Sequence, residues 1–260
     1  MNIDLALVTG AGRGIGRSIA QNIGKAGIPV VCISKTDACA ATAKNISDQG
    51  GSAEALRLDI SDLEHCEKTI FNLISRKQPK RIGIVLAAAI LGPPGGLMNG
   101  PPLRQWEELY RTNVLGNLAV LKGCLPKMHE TKFGRVIALA GGGSGYAYAE
   151  FSAYALTKIA MVRAIENLDV ELSGAGDFAF VVLAPGAIET DMLKQVKAGG
   201  GIVLTPASIE EPMRFASAFF SKDARKLSGR FLHVRDEWMS YMDDPKLELP
   251  PDSLKLRRVK

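Results

Sequence analysis

The chain has 260 residues, is 47% hydrophobic and 23% charged, and carries a formal net charge of +5. That length and apolar content suit one large packed α/β domain, and no apolar run approaches the roughly 18 residues that would span a bilayer. The basic residues are dispersed except at 255–260, so the excess charge reads as a solvated tail or as help for an anionic ligand, not as a nucleic-acid surface.

The first residues lead straight into a predicted strand without a basic n-region, which argues against a signal peptide. Strands predicted over 3–8, 29–33, 53–58, 82–88, 134–140, 178–183 and 230–234 alternate with helices over 15–26, 37–49, 62–77, 103–129, 152–173 and 208–220. The strands are mostly continuous apolar runs, so a parallel sheet covered on both faces is expected. The alternation argues for an α/β fold, a doubly wound parallel sheet of the Rossmann type, in a single domain over 1–242. A polar, proline-containing tail over 243–260 reads as disordered or as wrapping a neighbouring subunit. Cys32, Cys39, Cys66 and Cys124 are dispersed, as befits reduced thiols in a cytoplasmic protein. His65, His129 and His233 are too scattered to indicate a metal site.

After the first strand comes Thr9-Gly10-Ala11-Gly12-Arg13-Gly14-Ile15-Gly16, which opens a helix where backbone N–H groups can approach a pyrophosphate. The second strand ends in Ser34-Lys35. An acidic residue there would bind a ribose 2′-OH and repel a 2′-phosphate. With Arg13 as a second cation and no carboxylate until Asp37, the charges favour NADP (NADPH) over NAD. Glycine clusters at 95–96, 141–143 and 199–201 follow later strands and would surround the mouth of a ligand site. The segment 191–205, with Met192, Leu193, Val196, Ile202 and Leu204, reads as an apolar lid. Tyr146, Tyr148 and Phe151 point to an apolar pocket, while Lys194 and Lys197 offer charge to an anionic group. Tyr154 and Lys158 share one helix face at i and i+4, where the ammonium is expected to lower the phenol pKa and prepare it for proton transfer.

The glycine spacing Thr9-Gly10-x-x-x-Gly14-x-Gly16 and the ordered Tyr154-x-x-x-Lys158 together resemble the short-chain dehydrogenase/reductase family, in its shorter single-domain class, over residues 5 to 190. The resemblance implies an NADP(H)-dependent oxidoreductase that interconverts an alcohol and a carbonyl. Tyr154 would donate or accept the proton, and Lys158 would hold the nicotinamide ribose. It implies cofactor contacts at Gly10, Gly12, Arg13, Gly14, Ile15 and Gly16, at Ser34 and Lys35, and at Asp59 and Ile60 beside the adenine. Further contacts are implied at Ala87 and Ala88, and at Pro185, Gly186, Ile188 and Thr190 around the nicotinamide. The alternative for Asp59, capping the next helix, is better served by Ser61.

Asn113 matches the family asparagine that supports a water-mediated relay to the lysine. Two departures stand out. Leu86-Ala87-Ala88-Ala89 occupies the place of Asn-Asn-Ala-Gly, which removes polar side chains but keeps small residues. Gly141 occupies the place of the serine that hydrogen-bonds the substrate oxygen; Ser144, Tyr146, Tyr148 or a loop N–H are the candidates to replace it. That gap leaves open a second reading, a regulatory or catalytically impaired member that still binds cofactor. The implied partners are a small-molecule carbonyl or alcohol and a second copy of the chain, as a homodimer or homotetramer joined in part through the last strand. Neither nucleic acid nor a membrane is expected.

Overall fold

The structure, a computed structural model, describes residues 3–258. Met1 and Asn2, at the start read as lacking a leader, lie outside the described residues, as do Val259 and Lys260 of the basic tail. Strands β1 (Leu5–Thr9), β2 (Val30–Ser34), β3 (Ala53–Arg57), β4 (Ile82–Leu86), β5 (Phe133–Leu139), β6 (Asp177–Ala184) and β7 (Arg230–His233) pair in the order β3-β2-β1-β4-β5-β6-β7. Every pairing is parallel. All residues of β1, β4 and β5 are buried, which is why their sequences are mostly apolar on both faces.

Helices α1 (Gly14–Lys25), α2 (Ala38–Asp48), α8 (Glu210–Ser221) and α9 (Trp238–Asp243) cover one face; Ile19, Ile46, Phe215 and Trp238 fill that core. Helices α3 (Leu63–Lys77), α5 (Asn117–Thr131) and α6 (Ser152–Glu171) cover the other, with Ile70, Val120 and Ile165 packed against the sheet. The chain crosses from β3 over to β4, so the winding direction reverses between β1 and β4, and a crevice forms beyond their carboxyl ends.

The helix predicted over 103–129 is interrupted. α4 (Leu103–Tyr110) passes into a π-helical turn (Arg111–Gly116) before α5 begins. At Gly116 a Cβ would lie 2.7 Å from the Ile60 carbonyl, so the turn needs glycine to approach the end of β3. The segment read as a lid contains a regular helix, α7 (Asp191–Ala198), capped by Thr190, whose hydroxyl accepts from Leu193 N at 3.2 Å. Asp62, not Ser61, caps α3; it accepts from His65 N, while Ser61 donates to Asp59.

The C-terminal segment lies along its own domain. Lys226 Nζ donates to the carbonyls of Asp244, Pro245 and Leu247, Phe231 N donates to Leu254 O at 2.7 Å, and Arg257 pairs with Glu166. Leu249 and Leu254 pack against the first core and Leu256 against the second.

One buried hydroxyl joins the halves at the crevice. Thr9 Oγ1 donates to Asn117 Oδ1 at 2.9 Å and accepts from Ala87 N and Ala88 N at 2.9 and 3.0 Å. Thr9→Val keeps the shape but leaves two amides and a side-chain oxygen without that partner. Urea unfolding is expected to show a loss of about 1–3 kcal/mol; an unchanged midpoint would contradict the role given to this hydroxyl.

Candidate active site

A cleft of about 1230 Å³ opens beyond the carboxyl ends of the strands and is lined by residues from every βα connection from β1 to β6. The glycine turn, Ser34, Lys35, Asp59, Ile60, Ala87, Ala88, Tyr154, Lys158, Pro185, Gly186, Ile188 and Thr190 all lie along it. Asn113 and Ser144 do not line it.

The glycine turn is shaped by close approach. A Cβ on Gly16 would lie 2.5 Å from Gly10 O, and one on Gly10 would lie 2.9 Å from Ala88. Gly10 and Gly14 adopt φ of +67° and +53°, which L side chains rarely adopt. Helix α1 has no side-chain cap and no acidic residue in its first turn. Its amides and positive dipole end are left for an anion, so this cradle fits a dinucleotide pyrophosphate.

At the adenosine end the charges are partly spent. Lys35 Nζ pairs with Asp59 Oδ2 at 2.8 Å, so a carboxylate does reach the cation that the sequence left unopposed. Burial raises the Asp59 carboxyl, but hydrogen bonds from Lys35 and Ser61 outweigh it and hold the group below the usual carboxylate range. Asp37 faces Arg57 at 3.5 Å. Ser34 Oγ donates to Thr36 O and accepts from Cys39 N. Arg13 has no side-chain partner among the described residues. The set still fits a 2′-phosphate, because Lys35 is 74% exposed and its pair can open.

Tyr154 and Lys158 stand on one face of α6, both buried. Lys158 Nζ donates to Leu139 O at 2.9 Å and sits 5.4 Å from the centroid of the Tyr154 ring. Tyr154 Oη donates to Met192 Sδ on α7 at 3.8 Å. Burial pulls the Lys158 ammonium down from 10.5 to about 8. Burial, then the neighbouring phenols Tyr148 and Tyr146, push the Tyr154 hydroxyl up. The phenol was expected to be lowered; here the ammonium is aimed at a carbonyl and desolvation wins.

Gly141 explains the crowding in front of the phenol: a Cβ there would lie 2.5 Å from Tyr154 Oη. The phenol occupies the space that a serine would need. Ser144 does not fill the gap, because its buried hydroxyl donates to Gly141 O at 2.9 Å and accepts from Gly141 N at 3.2 Å. It closes the triple-glycine loop on itself. Tyr148 and the half-exposed Tyr146 line the cleft edge to face, with centroids 6.1 Å apart. Phe151 is buried behind them.

Asn113 sits in the π-helical turn. Its Oδ1 accepts from Ile90 N at 2.8 Å, and its Nδ2 donates to Ile90 O at 2.8 Å and Thr157 Oγ1 at 3.1 Å. Asn117, which sequence reasoning missed, donates to Ala88 O and Asn113 O. The available signal was two asparagines four apart in a helix otherwise apolar on that side.

A model of the short chain dehydrogenase family matches residues 4–200. The chain is 30% identical over 189 residues to a short chain dehydrogenase of Pseudocercospora fijiensis, covering 72% of this chain and 60% of that one. It is 29% identical over 238 residues to the 3-oxoacyl-(acyl-carrier-protein) reductase FabG of Salmonella typhimurium, covering 88% and 95%. Among solved structures, a provisionally assigned NAD(P)-dependent gluconate 5-dehydrogenase from Beutenbergia cavernae, with NADP bound at low occupancy, superposes with a TM-score of 0.82. It is 27% identical, with 92% of this chain and 98% of that one covered.

The depressed Lys158 pKa has a stability consequence of definite sign. The unfolded chain keeps this proton up to about 10.5 and the folded one only to about 8, so the native state carries a penalty below pH 8 that fades as pH rises toward 10.5. The penalty is on the order of 3 kcal/mol. Lys158→Met should therefore raise the melting temperature at pH 7, with the gap to wild type shrinking between pH 8 and 10.5. A variant that melts lower at pH 7 would contradict a costly buried ammonium.

Proposed function

The chain belongs to the short chain dehydrogenase family, and on that premise we propose that it interconverts an alcohol and a carbonyl with NADP(H), using Tyr154 as proton donor and acceptor. The observation that carries this reading is the shared cleft: the Tyr154–Lys158 face of α6 opens into the same space as the uncapped start of α1. A nicotinamide dinucleotide supplies or takes up the hydride when bound.

The chain's own residues handle the proton. In reduction, a substrate carbonyl oxygen replaces Met192 Sδ as the acceptor of the Tyr154 hydroxyl, and the proton passes to it. One Lys158 N–H is committed to Leu139 O, which fixes the ammonium and leaves its others for the nicotinamide ribose hydroxyls. Asn113 acts by holding Ile90 at the cleft wall and Thr157 one residue before Lys158. Of the residues lining the cleft, Gly10, Gly14 and Gly16 would admit the pyrophosphate, Thr190 and Ile188 would border the nicotinamide, and Asp59 and Ile60 would border the adenine.

The preference for NADP rests on Arg13 and on Lys35, whose pair with Asp59 must open to meet a 2′-phosphate. The relatives support carbonyl reduction and this cofactor, through the FabG reductase and the NADP of the Beutenbergia structure. The homodimer or homotetramer rests on the resemblance of the last strand, Arg230–His233, to the family's interface strand. Four cysteines, buried and free, support a cytoplasmic setting. A second reading, a regulatory member that binds cofactor without turnover, is favoured only by Gly141 and by the commitment of Ser144 to its own loop.

NADPH oxidation followed against a panel of ketones and acyl thioesters is expected to show turnover that falls by about 10²–10⁴-fold in Tyr154→Phe. Turnover indifferent to that change would remove Tyr154 from the chemistry, and cofactor binding with no turnover across the panel would favour the regulatory reading. Lys35→Asp should weaken NADPH about tenfold or more relative to NADH in direct titration, a difference near 1.4 kcal/mol. An equal effect on both would overturn the phosphate argument.

A further inference from the structure

We propose that the substrate of this cleft is an uncharged carbonyl compound with an apolar ring or chain as its body, in contrast to a carboxylate or phosphate ester. The inference rests on the oxidoreductase reading above and deepens it to a substrate class.

The two ends of the cleft differ in charge. The cations of the glycine turn and of β2, Arg13 and Lys35, stand at the end assigned to the cofactor. Around Tyr154 the wall is built from Leu91, Tyr146, Met192, Val196, Ile202 and Leu204. Ile202 and Leu204 are each 57% exposed and Tyr146 is 46% exposed, so large side chains from two different loops stand in water along one cleft. A ligand that covers them gains from burial of apolar surface.

The lysines that the sequence offered to an anionic substrate stand outside the cleft. Lys194 pairs with Asp191 at 3.8 Å, Lys197 pairs with Glu189, and neither lines the cleft. The other charged side chains that line the cleft include Asp191 and Asp236, which offer no counter-charge to an anion. Apart from Lys158, already bound to Leu139 O and placed for the ribose, no lysine or arginine lines the Tyr154 end among the described residues. A substrate carboxylate here would lose its water without gaining a counter-charge, and that cost falls on an anion and not on a neutral ketone. Gly199 and Gly201 seat the lid against Phe151 and Tyr148, which keeps Ile202 and Leu204 on the cleft side.

The test is a matched pair, methyl 4-acetylbenzoate and 4-acetylbenzoate, with 5-ketogluconate as a polar acid. Each is assayed with NADPH on wild type, Leu204→Arg and Tyr154→Phe, and each is also titrated against the NADP-loaded enzyme by melting temperature. The ester is expected to exceed both acids by about tenfold or more in kcat/KM or, where turnover is slow, to be the one that raises the melting temperature. Leu204→Arg should narrow the ester-to-acid ratio about tenfold by supplying the missing counter-charge. Equal or better use of either acid, binding of none of the three, or a ratio unmoved by Leu204→Arg overturns the substrate assignment. Tyr154→Phe separates the levels: turnover that survives it counts against the proton-donor reading, whereas Tyr154-dependent turnover that prefers the acids counts only against the substrate class.

Discussion

Everything at the cleft depends on the hydrogen bonds that Thr9 and Asn117 share beyond the ends of β1 and β4. The Thr9 hydroxyl holds the Ala87 and Ala88 amides, and Asn117 holds that hydroxyl, the Ala88 carbonyl and the Asn113 carbonyl. Asn113 in turn holds Ile90 and Thr157. A continuous polar chain thus runs from the glycine turn to the helix that carries Tyr154 and Lys158. It is buried, so each unmade bond would cost far more than it would at the surface. This is why the alanines at 87–89 suffice: the polar groups lie in β1 and α5, and the crossover needs only to be small.

The catalytic pair sits in tension with its surroundings. Lys158 is buried as an ammonium with one carbonyl partner, and Tyr154 is buried with a thioether as acceptor. Both arrangements cost stability, and both are settled by groups that substrate and cofactor bring: hydroxyls for the lysine, a carbonyl oxygen for the phenol. Sites arranged for chemistry commonly carry such local cost. The glycine at 141 belongs to the same arrangement. With no side chain there, the phenol comes up against the backbone of the β5 loop, and the lid helix α7 reaches it through Met192.

The sheet and most helices were legible because apolar runs and turn glycines report burial directly; β1, β4 and β5 are buried throughout and read as mostly apolar stretches, with Thr9 and Arg135 the polar members. The π-helical turn was not legible, since weak helix formers such as Thr112, Asn113 and Gly116 mark a weak spot but not its form, and the approach of Gly116 to Ile60 is a long-range contact. Helix α7 escaped because it is only eight residues long and lies beside a glycine triad, and its start depends on the Thr190 cap. At the site, positions in motifs could be read but pairings could not. The Lys35–Asp59 pair joins the loops after β2 and β3, the Ser144 hydroxyl turns back three residues, and the Tyr154 pKa is set by depth. None of these is a property of local sequence.

The central claim, that the Tyr154 hydroxyl is the proton source and sink, is tested most directly by the pH dependence of kcat/KM in both reaction directions. Reduction needs a protonated phenol and oxidation a deprotonated one. The account predicts that reduction falls and oxidation rises through one apparent pKa belonging to the Tyr154–Lys158 pair, and that both limbs vanish from the residual activity of Tyr154→Phe. Profiles that run the same way in both directions, or that persist unchanged in Tyr154→Phe, would contradict it.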